Sequence, residues 1–409
     1  MKHLIIGNGV AGITAIEGIR QLDPESSIAL IAGETRHPYC RPMISHLLDG
    51  SVSPGQLLMR PRDFYDRMRV EVASGEWAKA IDVDNETVLT DKGNAFGFDR
   101  LLIASGADPR PIKADGLELA NIFSMRTQEH VEAIVSALPE ASRALVLGGG
   151  LVGFKAAYGL LRRGLHVTML IRSRYPLSMQ VDAFAGEMLL DELAGEGLEV
   201  RVDIEVTAFE GNGRVSEAHL SDGTSIPCDL AIIGKGVLPA TSFVPLDRIT
   251  VDLGIVVNEH METSASGIYA AGDVAESIDR ARKQRWVNAL WPVAVEQGRI
   301  AGMNMAGRRV SYKGSLSRNV MRVFDTDILT AGIVNPPKED EYHVISHCDR
   351  RRGTYRKLVF RDDVLVGVVM VNSVEQGGVL VALINDGTPI SREKELLLHP
   401  SFNYAKLAR

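Results

Sequence analysis

Lys2-His3-Leu4-Ile5-Ile6-Gly7-Asn8-Gly9-Val10-Ala11-Gly12 decides the fold. The apolar run Leu4 to Ile6 reads as a buried parallel strand, and it runs straight into Gly-x-Gly-x-x-Gly and a helical pattern from Ile13 to Leu22. Each glycine has a mechanical task. Gly7 allows the tight turn, Gly9 lets the backbone approach a pyrophosphate, and Gly12 lets the helix pack close to the sheet. Val10 and Ala11 open that helix, where free N–H groups and the helix dipole favour a phosphate.

A second copy follows. Arg143-Ala144-Leu145-Val146-Leu147-Gly148-Gly149-Gly150-Leu151-Val152-Gly153 again runs strand, glycine turn, helix, and His166 to Ile171 supplies the next strand. Two dinucleotide sites in one chain suit an enzyme that passes a hydride between a nicotinamide and a second dinucleotide, a flavin.

With 409 residues the chain is too long for one ordinary core, so two or three domains are expected. Apolar residues at 45% and charged residues at 24% suit a globular protein. The formal charge of -7 argues against nucleic acid as the main partner. No apolar run is long enough to cross a bilayer, so no membrane span and a cytoplasmic setting are expected. Cys40, Cys228 and Cys348 are far apart and form no C-x-x-C, which excludes the usual metal and iron–sulfur spacings and a paired-cysteine active site. Iron–sulfur centres, if they take part, belong to a partner.

Beyond the second strand, Ser27 to Ile31, Glu34 stands about twenty residues past Gly12, near where a carboxylate would accept from ribose hydroxyls. Tyr39-Cys40-Arg41-Pro42-Met43-Ile44-Ser45 then resembles the loop of flavoprotein rubredoxin reductases, ferredoxin reductases and the flavin part of assimilatory nitrite reductases. The chain is thereby similar to the FAD-dependent pyridine nucleotide-disulfide oxidoreductase superfamily. The resemblance implies that Arg41 and Pro42 help hold FAD, as suits a planar guanidinium beside phosphates. Ala104-Ser105-Gly106 is similar to the family's Thr-Gly-x-x-Pro turn with serine for threonine, and Gly234-Lys235-Gly236 resembles the loop beside the nicotinamide cofactor. Ala270-Ala271-Gly272-Asp273 resembles the third flavin motif, whose aspartate binds the ribitol chain. The helix opened by Trp291-Pro292 resembles the one that points its N-terminus at the flavin ring.

The resemblance implies an α/β protein with two Rossmann-like dinucleotide-binding domains, each a three-layer ββα unit, the second inserted in the first. Residues 1–114 and 244–312 would bind FAD, 115–243 would bind NAD(P)H, and 313–409 would form an α+β interface domain with a hairpin at Arg361-Asp362-Asp363 and a helix from Ser391 to Leu398. The expected activity is electron transfer between NAD(P)H and a small acidic carrier protein, or an iron–sulfur subunit of a larger complex.

Three departures from the relatives bear on catalysis. Ferredoxin-reductase relatives carry lysine where this chain has His46, and glutamate where it has Lys155, so Lys155 and His46 are candidates for tuning charge beside the flavin. Cys40 lies near the single redox cysteine of oxidase, peroxidase and coenzyme A disulfide reductase relatives, which leaves a Cys40-dependent enzyme as an alternative. A slow-turnover sensor of pyridine nucleotides, like apoptosis-inducing flavoproteins, is another. Finally, Ile171-Arg172-Ser173-Arg174 lacks a carboxylate for the ribose of NAD and resembles the NADPH strand of glutathione reductases, a slight lean to NADPH. The basic run Arg280, Arg282, Lys283, Arg285 beside Trp286 is a candidate dock for an acidic carrier.

Overall fold

The computed structural model describes residues 1–390 and 392–402. Its first sheet is parallel, in the spatial order Ile268–Ala270, Arg100–Ile103, Lys2–Ile6, Ser27–Ala32, Val70–Ser74. Leu4, Ile5, Leu30 and Leu101 to Ile103 are almost wholly buried. Such strands are covered on both faces, which is why they read as continuous apolar runs. One face carries the Val10–Leu22 helix, and a three-stranded antiparallel sheet, Ala78–Asp82, Thr87–Thr90 and Ala95–Gly97, adds the outer layer.

The Val10–Leu22 helix packs on Trp291–Met305 with no room for side chains between them. A Cβ at Gly298 would stand 2.2 Å from the Ala11 carbonyl oxygen, and one at Gly302 would stand 2.2 Å from that of Ala15. Residue numbers rise together along both helices, so they run in the same direction. Both N-termini therefore open on the same side of the sheet.

The second sheet repeats the design with strands Glu199–Arg201, His166–Leu170, Arg143–Leu147, Leu230–Ile233 and Ile122–Ser124, again all parallel. The antiparallel excursion expected around Gly211-Asn212-Gly213 forms as Val206–Glu210, Glu217–Leu220 and Ser225–Pro227. Ala107–Pro109 and Val237–Pro239 pair antiparallel where the chain leaves the first sheet and returns.

A third, antiparallel sheet runs Arg318–Val323, Thr326–Gly332, Val364–Val371, Thr354–Arg361, His343–Asp349 and carries the Gly377–Asp386 helix. Asp362 and Asp363 both have positive φ, 49° and 63°, the geometry of a two-residue hairpin turn. The helix expected from Ser391 to Leu398 is a 3-10 turn over Lys394–Leu398, and Ser391 itself lies outside the described residues. The third sheet is pinned to the second unit through Asp182, which caps the Ala183–Gly195 helix, accepts from the Tyr355 hydroxyl at 2.7 Å and pairs with Lys357 at 3.0 Å.

Candidate functional site

The two glycine turns have nearly the same geometry. Gly7 has φ 110° and Gly148 φ 114°, and a Cβ there would lie 2.1 Å from the Ala104 oxygen and 2.4 Å from the Gly234 oxygen. A Cβ at Gly12 would meet the Gly7 oxygen at 2.1 Å, and one at Gly153 the Gly148 oxygen at 1.8 Å. At Gly9 and Gly150 a Cβ would meet nothing within 4 Å. Both helices behind these turns, Val10–Leu22 and Leu151–Arg162, start without a side-chain cap, so their first N–H groups have no partner from a capping side chain. Open space above uncapped N–H groups fits the pyrophosphate of a dinucleotide in each unit.

Around the first turn the polar side chains bond to one another. Glu34 accepts from Arg41 at 2.5 Å and from the Tyr39 hydroxyl at 2.7 Å, and the Tyr39 hydroxyl accepts from the Gln128 N–H at 3.0 Å. Arg41 also donates to the Arg126 carbonyl at 2.8 Å, and the Arg126 guanidinium pairs with Asp273 at 2.9 Å. Glu34, Arg41 and Asp273 are thus brought into one chain of contacts, in which Glu34 and Arg41 hold each other. Burial pushes the Tyr39 hydroxyl well above its usual range, which keeps it a donor. Arg126 and Tyr39 were not among the residues expected at the site; Arg126 sits in no motif, one residue before the Thr127 helix cap.

Gly272, at φ 84°, makes the turn that presents Asp273, and its N–H donates to the buried Gln297 side chain at 2.9 Å. Gln297 escaped the sequence reading because a glutamine inside a helix gives no signal. The Trp291–Met305 helix starts at Leu290 with no side-chain cap and with proline in its first turn. The Ser105 hydroxyl donates to the Ala240 carbonyl at 2.8 Å, tying the outgoing chain to the returning one beside Ala104 and Gly106.

Lys155 and His46 are not paired with each other among the described residues. Lys155 donates to the Pro42 carbonyl at 3.2 Å, and His46 lies 3.3 Å from Asp49. Desolvation lowers the Lys155 pKa, with Cys40 acting the other way. Cys40 is half-buried at the head of the Arg41–Met43 turn. Burial pushes its thiol up, only partly offset by the Met43 N–H and the Lys155 charge.

At the second turn, Arg172 and Arg174 are exposed, and neither forms an ion pair among the described residues. Ser173 between them donates to the Tyr175 carbonyl at 2.7 Å. Gly236, at φ 90°, faces open space and its carbonyl accepts from the Arg110 N–H at 2.9 Å.

The basic run is tied into a turn at the surface, with Lys283 and Arg285 exposed. Asp279 is fully buried and takes the N–H groups of Ala281 and Arg282 and the Asn288 amide. Arg282 pairs with Asp279 and lies over the Trp286 ring at 4.7 Å, Arg280 donates to the Lys313 and Gly314 carbonyls, and Arg285 donates to Val257. These cations hold a turn together, which leaves Lys283 as the one without such a bond among the described residues.

Comparison with known proteins adds three findings. A family model described as "Pyridine nucleotide-disulphide oxidoreductase" matches residues 1–298, and one described as "Rubredoxin NAD+ reductase C-terminal domain" matches residues 318–388. "Nitrite reductase [NAD(P)H]" of Bacillus subtilis (strain 168) is 29% identical over 400 residues, covering 97% of this chain and 49% of that protein. This chain spans about half the length of that relative. "NADH-dependent phenylglyoxylate dehydrogenase subunit epsilon" of Aromatoleum evansii is 29% identical over 395 residues, covering 95% of this chain and 93% of the other. Among solved structures, the covalent putidaredoxin reductase–putidaredoxin complex matches with TM-score 0.90 and 26% identity, over 100% of this chain and 98% of that one.

Proposed function

The chain belongs to the pyridine nucleotide-disulphide oxidoreductases, and on that premise we propose that it carries electrons between NAD(P)H and a small acidic redox protein or an iron–sulfur partner subunit. The observation that carries this reading is the duplicated open turn at Gly7 and Gly148, one for FAD and one for the nicotinamide cofactor. Residues 1–114 with 244–312 form the FAD unit, 115–243 the nicotinamide unit and 313–409 the interface unit. Unpaired Cys40, Cys228 and Cys348 suit a reducing cytoplasm.

Bound FAD supplies the exchange between hydride and single-electron transfer. The N–H groups of Val10 and Ala11 would hold its pyrophosphate, Arg41 and Pro42 would border that site, Glu34 would take the ribose, and Asp273, held by Arg126 and presented by the Gly272 turn that Gln297 anchors, would take the ribitol hydroxyls. Ala104, Ser105 and Gly106 would line the same site beside Gly7. The N-terminus at Trp291 and Pro292 stabilises negative charge that develops beside it. In the second unit Gly150, Leu151 and Val152 take the nicotinamide cofactor's pyrophosphate, and Gly236 allows its ring to approach. Arg172 and Arg174, without an ion pair among the described residues, favour the 2′-phosphate of NADPH. Lys155 sets a positive charge at the mouth between the units, and His46 answers Asp49 nearby. Burial pushes the Cys40 thiol up, which disfavours the thiolate that a redox role would use.

The test is reduction of the FAD-loaded protein by NADPH or NADH, followed by mixing with an oxidised rubredoxin and, separately, a [2Fe–2S] ferredoxin. Bleaching of the flavin followed by its reoxidation as the carrier is reduced is the expected result. Flavin that bleaches yet is reoxidised by neither carrier would move the reading to a nucleotide sensor.

A further inference from the structure

We propose that the antiparallel excursion behind the second sheet is a binding site for a first-row divalent transition metal, of the zinc class, held by Glu210, Glu217 and His219. Phe209, Ala218 and Ile226 point inward and pack on Leu145, Leu147 and Leu170 of the second sheet. The alternate positions, Glu210, Glu217 and His219, therefore share the opposite face. Glu210 stands directly across from Glu217 in the strand register. Like charges in that relation repel, and among the described residues no lysine or arginine pairs with either carboxylate.

Between them stands the His219 ring, 36% exposed, whose Nε2 lies 3.0 Å from a Glu210 carboxylate oxygen, at ion-pair distance but without an aligned hydrogen bond among the described residues. That nitrogen is itself shielded from solvent and aimed at the carboxylate pair. The nitrogen and one oxygen from each glutamate all lie within 4.8 Å of one another. The Ser225 hydroxyl donates to Glu217 and fixes its orientation, as groups behind metal ligands do.

One imidazole and two carboxylates form a mixed nitrogen and oxygen set. That set suits zinc, copper, nickel or ferrous iron better than magnesium or calcium. Three protein ligands leave a tetrahedral ion one position for water. A divalent cation converts the carboxylate repulsion into attraction and takes the imidazole nitrogen as its third ligand. It also ties Val206–Glu210 to Glu217–Leu220 across the layer that backs the nicotinamide unit. The site is independent of the FAD and nicotinamide turns, so its existence stands apart from the proposed electron transfer.

The experiment uses the whole FAD-loaded chain after chelator treatment and gel filtration. Zinc chloride alone is titrated calorimetrically into wild type, His219→Gln and Glu210→Gln, and one equivalent of cupric ion is followed by electron paramagnetic resonance. Wild type is expected to bind one zinc that His219→Gln weakens by about tenfold or more, and to give a cupric signal with nitrogen coupling that His219→Gln abolishes. Glu217→Gln, which relieves the repulsion, is expected to raise the melting temperature of the metal-free protein and to remove the increase that zinc gives wild type. Superimposable isotherms for wild type, His219→Gln and Glu210→Gln would overturn the proposal, and so would a cupric signal that keeps its nitrogen coupling in His219→Gln.

Discussion

The two glycine turns have the same backbone and opposite surroundings. Around the first, Glu34, Tyr39, Arg41, Arg126 and Asp273 are joined by short hydrogen bonds in a partly buried chain. Around the second, Arg172 and Arg174 are exposed and make no ion pairs among the described residues. Side chains already fixed in place lose little freedom when a ligand arrives, which suits the resident group proposed for the first turn. Loose cations at an open rim suit a cofactor that binds and leaves. On the proposed reading, one backbone device serves retention in one unit and exchange in the other.

Breaking each turn gives the largest expected effect. In Gly7→Val, positive φ alone costs on the order of 1–3 kcal/mol, and the clash with the Ala104 oxygen adds to it, so the protein should purify colourless and less stable. Gly148→Val should stay yellow, because the first unit is intact, yet its flavin should not be reduced by pyridine nucleotide. Absorbance at purification and anaerobic reduction check the pair.

Loosening the fixed ring comes next. Asp273→Asn leaves Arg126 without its carboxylate and should weaken FAD binding by roughly tenfold to a hundredfold, read by flavin release on dilution. Replacing both Arg172 and Arg174 with alanine should raise KM for NADPH by roughly tenfold and leave KM for NADH nearly unchanged.

The smallest effect concerns the strands that feed the turns. His3 corresponds in the second unit to Ala144, and it is buried with neither ring nitrogen hydrogen-bonded among the described residues. Burial, outweighing the Asp23 carboxylate, lowers its pKa below the ordinary value near 6.5. The unfolded chain therefore takes up a proton first as pH falls through about 6.5, so the stability present above that pH is lost below it, by at most about 1.4 kcal/mol per pH unit. His3→Ala, which copies the second unit, should flatten the melting temperature between pH 7 and 5.

The glycine turns, the parallel strands and the hairpin at Asp362 and Asp363 were legible because each needs particular residues at fixed local spacing. The ring around the first turn was only half legible. Glu34, Arg41 and Asp273 sit in motifs, but Arg126 reaches Asp273 across a long stretch of chain and only the folded packing brings them together. Gln297 acts through one backbone N–H, which no pattern of residue types records. At the basic run, 280–285, the spacing shows the charges but not their bonds: Asp279 and nearby carbonyls hold Arg280, Arg282 and Arg285, while Lys283 and Arg285 stay exposed.

The measurement that tests resident flavin and exchangeable nicotinamide most directly is an anaerobic titration of the purified yellow protein with NADPH, and separately with NADH, followed through the visible spectrum. The expected result is full bleaching at two electrons per FAD, reached at lower concentration with NADPH, with no long-wavelength thiolate-to-flavin band. Uptake of four electrons, with such a band that disappears in Cys40→Ser, would contradict it and place the thiol in the electron path.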